Sequence, residues 1–104
     1  MATIDTETKK GVSPDSDSKY KEPPMYKVIL HNDDYTTMDF VVEILMMVFG
    51  KSFEAATHIM LNIHEQGRGI CGIYTRDIAE TKVNTVHALA REREFPLKST
   101  IEKE

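Results

Sequence analysis

The chain has 104 residues, 29% of them charged, with a net charge of -4 and a single cysteine. That length holds one domain, and the acidic balance offers no basic stripe for nucleic acid. Cys71 has no partner for an internal disulfide, which suits a reducing, cytoplasmic setting, and no run approaches the ~20 apolar residues of a membrane helix.

In chain order, residues 1–24 carry few large apolar side chains and close on Pro23-Pro24. Such a stretch cannot bury enough surface to offset chain entropy, so it reads as a flexible extension of a core spanning 25–104. Met25 to Leu30 is rich in strand formers, and the polar run His31-Asn32-Asp33-Asp34 ends it. A helix from Met38 to Phe49 comes next, in which only Asp39 and Glu43 are polar, and Gly50 stops it. Thr36 reads as its cap, Asp39 completes a capping box, and Tyr35 with Phe40 forms a hydrophobic staple.

Ser52 caps a second helix that runs to Gln66, with Gly67 at its end and Ala56, Ile59, Met60 and Ile63 as one stripe. Gly69 to Tyr74 reads as a short buried strand. Thr75 caps a third helix, to about Glu92, whose core stripe is Ile78, Val83, Val86, Leu89 and Ala90. After Pro96, alternation through Leu97, Ser99 and Ile101 predicts a last, half-exposed strand. The order β-α-α-β-α-β describes a small single-domain α+β sandwich, a three-stranded antiparallel sheet covered by three helices. Fold class by itself specifies no function.

Reactive candidates are few. Cys71, between Ile70 and Gly72, reads as a small core residue, and Gly67-Arg68-Gly69 is too short for a phosphate loop. His31, His58, His64 and His87 lack metal-ligand spacing, although Asp33, Asp34 and His64 could meet in space. A metal-assisted hydrolase at those three residues therefore stands as a competing reading, as does a scaffolding domain with no pocket. The turn itself reads either as a plain turn with a helix cap or as a rim of acceptors beside an apolar pocket. The second form suits a small ligand with a cationic head and an apolar body.

Met25-Tyr26-Lys27-Val28-Ile29-Leu30-His31-Asn32-Asp33-Asp34-Tyr35-Thr36 resembles the start of the ClpS core, a family of adaptors for Clp unfoldase–protease machines. The likeness continues through Ala56 to His64 and Gly67, Gly69 to Thr75, Ala79 to Val83, and Pro96-Leu97. The resemblance implies no enzyme and no cofactor or metal. It implies a monomeric adaptor that binds a free amino-terminal Leu, Phe, Tyr or Trp and delivers the bearer to a ClpA-type unfoldase. The contacts to the α-amino group fall on Asn32, Asp33 and His64. The side-chain pocket falls on Thr36, Met38, Val41, Met60, Ile63 and Leu97, with Asp34 at the rim. Asp77 and Lys82 match positions that dock the unfoldase's amino-terminal domain, and the extension is expected to act in substrate transfer. Two positions depart from the pattern: Thr37 stands where relatives often have proline, and His31 where they are often apolar.

Overall fold

The computed structural model describes residues 22–104. The expected extension lies almost wholly outside them; residues 22–24 are exposed coil. Among the described residues the elements are β1 (Met25–His31), α1 (Met38–Met47), α2 (Phe53–Gln66), β2 (Arg68–Thr75), α3 (Arg76–Glu92) and β3 (Lys98–Lys103). This is the order and class that the sequence predicts.

β1 is the central strand, antiparallel to both neighbours in the order β2-β1-β3. Its Val28, Ile29 and Leu30 are fully buried, and each such side chain contributes about 1.5–3 kcal/mol on leaving water. The β1–β2 register shifts between Val28 and Ile29, which pair with Gly72 and Ile70, so Cys71 is the extra residue of a bulge. Cys71 is buried, and burial pushes its thiol pKa up to about 12, so it is a protonated core residue at neutral pH. α3 is held against β3 by a hydrogen bond from Ser99 N to His87 Nε2 at 3.0 Å. The buried Ser99 hydroxyl donates in turn to Ile29 O at 2.9 Å.

α2 begins and ends as its sequence dictates. The Ser52 hydroxyl accepts from Ala55 N, and Gly67 closes the helix at φ 89° with its N–H on Ile63 O. α1 differs from expectation. Its cap is Thr37, whose hydroxyl accepts from Phe40 N at 3.1 Å, and it ends at Met47. With Thr37 as cap, Asp39 falls one residue short of a capping box, and Tyr35, 76% exposed, forms no staple with Phe40. The expected cap, Thr36, is drawn away because its N–H and hydroxyl both donate to Asp33.

Two apolar stripes are also corrected. β2 is half-exposed rather than buried, since Ile70 and Ile73 lie on a face turned to solvent and Cys71 alone is fully buried. On α3, Ala79, Val86 and Ala90 face the core while Ile78 is exposed. Thr75 holds the N-cap position of α3 without a side-chain capping bond.

Candidate functional site

A cavity of about 420 Å³ opens between the β1–α1 turn, the first turns of α1 and the last turns of α2. The polar side of its wall is Asn32, Asp33, Asp34 and His64; the apolar side is Met38, Val41, Met60 and Ile63. Nine of the ten positions that the resemblance groups at the site, Thr36 among them, are therefore brought together on the lining.

The convergence has a local cause. Asn32 N donates to Gly67 O at 2.9 Å, tying the residue after β1 to the residue that ends α2. Asn32 and His64 thus reach one mouth from elements separated by more than thirty residues of sequence. Below them, Ile63 is buried and packs against the next strand, where a Cβ on Gly69 would sit 2.7 Å from Ile63 Cγ1. Glycine at 69 is what lets α2 approach β2 closely enough to seat Ile63 on the cavity wall.

Asp33 organises the turn. One carboxylate oxygen, Oδ1, accepts from Tyr35 N at 2.8 Å and Thr36 N at 2.7 Å; Oδ2 accepts from the Thr36 hydroxyl at 2.7 Å. Burial alone would raise its pKa, but the hydrogen bonds from Thr36 and Tyr35 outweigh it and hold the carboxyl below its usual range. The group is therefore an anion at neutral pH, fixed in orientation before any ligand arrives. These bonds occupy part of its acceptor capacity, and lone pairs remain, since an ionised carboxylate has about four.

The apolar wall is less enclosed. Met38 is 47% exposed at the mouth, Met60 is half-buried, and Val41 and Ile63 belong to the hydrophobic core. Leu97, expected on the wall, does not line the cavity. It is 4% exposed and sits in the core cluster that also contains Val41 and Ile63. Tyr35 and Thr37 line the cavity although neither is expected there; both are brought in by the turn bending around Asp33. Their only sequence signal is a place within three residues of the acidic pair.

Among the described residues no group of three or more His, Cys, Asp or Glu is placed to hold a metal ion. Asp33, Asp34 and His64 share the cavity without forming such a group. No helix among the described residues is long and apolar enough to cross a membrane.

A second, larger cavity of about 480 Å³ lies on α3, lined by Asp77, Ile78, Lys82 and Leu89 together with Met47 and Val48. Both charged positions expected to dock a partner stand on it. Lys82 Nζ donates to Val48 O at 2.7 Å, binding a carbonyl at the C-terminal end of α1, and lies 5.5 Å from the centre of the Tyr74 ring.

His31 extends its ring to Thr100, with Nε2 and Oγ1 2.7 Å apart, and pairs across the sheet with Arg68 and Lys98. Burial, and after it the charges of Lys98 and Arg68, lowers its pKa. It takes no part in the cavity lining.

Known proteins resemble this chain over most of its length. The family model "ATP-dependent Clp protease adaptor protein ClpS" matches residues 21–100. The ATP-dependent Clp protease adapter protein ClpS of Desulforapulum autotrophicum is 64% identical over 104 residues, covering 100% of both chains. The protein of that name from Lawsonia intracellularis is 59% identical over 85 residues, 82% of this chain and 78% of its own. Among solved structures, Agrobacterium tumefaciens ClpS2 bound to L-phenylalaninamide superposes with a TM-score of 0.77 at 41% identity, covering 80% of this chain and 100% of that one.

Proposed function

The chain belongs to the ClpS family of ATP-dependent Clp protease adaptors, and from that premise we propose that its cavity receives the free amino terminus of a protein substrate. The first residue of that substrate is large and apolar: Leu, Phe, Tyr or Trp. The observation that carries the reading is the meeting of Asn32, Asp33 and His64 at the mouth of a cavity walled by Met38, Met60 and Ile63. A solved relative bound to L-phenylalaninamide, an amino acid with a free amine and a blocked carboxyl, supports it.

The chemistry derives from the ligand's own charge. An α-amino group has a reference pKa near 8 and is mostly a three-donor ammonium at neutral pH. The oriented Asp33 carboxylate, the Asn32 side-chain carbonyl and an unprotonated imidazole nitrogen of His64 are three acceptors for three donors. Charge-assisted hydrogen bonds contribute about 1.5–3 kcal/mol each, and burial of a Leu or Phe side chain a similar amount. After the costs of association the net suits roughly micromolar affinity, weak enough to permit handover. Methionine walls adapt to both flat and branched side chains. Met38, at the mouth, crowds a ligand branched at its first carbon and so disfavours Val and Ile; Met38→Ala should admit them.

The adaptor role needs a second face. The cavity on α3 with Asp77 and Lys82 is the site we assign to the amino-terminal domain of a ClpA-type unfoldase, and residues 1–24 to substrate transfer. The protein works as a non-enzymatic, cytoplasmic monomer that delivers its cargo for degradation.

The test is fluorescence anisotropy with three matched peptides: Phe-first, acetylated Phe-first and Val-first. Binding of the first alone is expected. Equal binding of the acetylated peptide, or none by the Phe-first peptide, refutes the assignment.

A further inference from the structure

The cavity for the amino terminus has an apolar neighbour with no part in that role. A groove of about 420 Å³ runs along the same α1–α2 seam, and Met60 lines both it and the amino-terminal cavity. On α1 its wall is Val42 and Met46; on α2 it is Phe53, Thr57 and Met60. These positions repeat at i, i+4 and i, i+4, i+7, so each set is one face of its helix. Phe53 is 64% exposed and Met46 40% exposed. Single exposed apolar residues are ordinary, but here they line one continuous recess.

Asp39, Glu43 and Thr57 also line the recess, and the last two are engaged. The Thr57 hydroxyl donates to Phe53 O at 2.8 Å, and Glu43 accepts from Arg93 at 2.9 Å. Phe53 has no capping duty, because Ser52 supplies that bond from the preceding position. The exposed ring contributes nothing evident to starting the helix.

Distance sets the register. Met60 and Phe53 are seven residues apart on α2, a rise of roughly 10 Å. An extended chain covers that in about three residues, at ~3.3–3.6 Å each. A substrate whose first side chain fills the cavity beside Met60, and whose chain leaves along the seam, brings its third or fourth residue over Met46 and Phe53.

Resting on the assignment of the first cavity, we propose that this groove is a second subsite, which takes an apolar side chain at the third or fourth residue of the same substrate. The protein then reads two positions: an obligatory bulky amino-terminal residue, and a downstream apolar residue that tightens the complex. Two substrates with the same first residue are thereby ranked by their third and fourth.

The experiment is a scan of Phe-first peptides that are otherwise Gly and Ser, with one Leu moved through positions two to six. In the wild-type protein Leu at position three or four should tighten binding about three- to tenfold, an increment within partial burial of one leucine side chain. The double variant Met46→Ser, Phe53→Ser should lose that gain while binding the Leu-free Phe-first peptide as the wild type does. Both replaced side chains are surface-exposed, and a thermal melt of the variant checks that it folds. No gain at position three or four, or a gain that survives in the double variant, overturns the second subsite and leaves the first standing. Failure of the Leu-free peptide to bind the wild type would instead overturn the first assignment, and the second with it.

Discussion

Two cavities of this small domain differ in how their charges are held. At the site proposed for the substrate's amino terminus the anion is prepared: Asp33 is oriented by three hydrogen bonds, while Asn32 and Asp34 stand exposed beside it. On α3 the cation is engaged, with Lys82 bound to the Val48 carbonyl and the surrounding wall of Met47 and Ile78 left apolar and exposed. A rim of acceptors over an apolar wall suits a small charged head on a bulky body. An apolar recess with a tethered lysine suits the surface of a folded partner. The difference teaches that a cavity's size, about 420 against 480 Å³, says less about its ligand than which of its polar atoms are already satisfied.

The comparison can be broken most severely at Asp33. Asp33→Ala removes both the carboxylate we assign to the ligand's amine and the three bonds that shape the turn. Affinity for a Phe-first peptide should fall at least about 100-fold, roughly 3 kcal/mol. Unchanged affinity by anisotropy would place the amine elsewhere.

Gly69→Ala attacks the same site from behind. The new methyl meets Ile63 Cγ1 and forces the side chain or the strand to move. Overpacking of this kind costs about 1–3 kcal/mol. A lower melting temperature and weaker peptide binding are both expected; a variant that melts and binds like the wild type would show that the close approach is not needed.

The α3 side separates from these. Ile78→Ser, at an exposed position, should leave peptide affinity within about twofold and stability within ~0.5 kcal/mol. Degradation of a Phe-first substrate by the unfoldase–protease should nevertheless slow. Slowed degradation together with lost peptide binding would merge the two regions into one.

The smallest effect is on the acid side of the stability profile. Besides the exposed Glu102, His31 and Asp33 have folded-state pKa values below their ordinary ones, 6.5 and 3.8. In both cases the unfolded chain binds protons more readily, so each contribution is present above the unfolded pKa and is lost as pH falls through the folded one. His31 begins to weaken the fold below about pH 6.5, and Asp33 only below about pH 4. Melting temperature should decline in those two steps, and Asp33→Ala should flatten the lower one. A profile that rises on acidification would reverse the sign and contradict both assignments.

Much of this was legible because the chain is well punctuated. Ser52 and Gly67 each appear once at the right spacing, and α2 begins and ends where they indicate. At α1 two adjacent threonines compete for the cap. The choice between Thr36 and Thr37 was decided by Asp33, three residues upstream, whose side chain claims Thr36. Such capture depends on the turn's three-dimensional path, which periodicity does not encode. The exposure of Ile70, Ile73 and Ile78 was hidden for a related reason: apolarity marks residues able to be buried, not which face of a strand or helix its neighbours cover. The grouping of Asn32, Asp33, Met38, Met60 and His64 came from the resemblance, since the bond from Asn32 to Gly67 that brings the turn to α2 leaves no mark in either segment alone.

Titration of a Phe-first peptide into isotopically labelled protein, monitored residue by residue by NMR, tests the location of the ligand most directly. The methyl groups of Met38, Met60 and Ile63 and the His64 ring should move most, while Met47 and Ile78 on the α3 side stay still. Shifts centred on Met47 and Ile78, with Met60 and His64 unmoved, would contradict the assignment of the amino-terminal site.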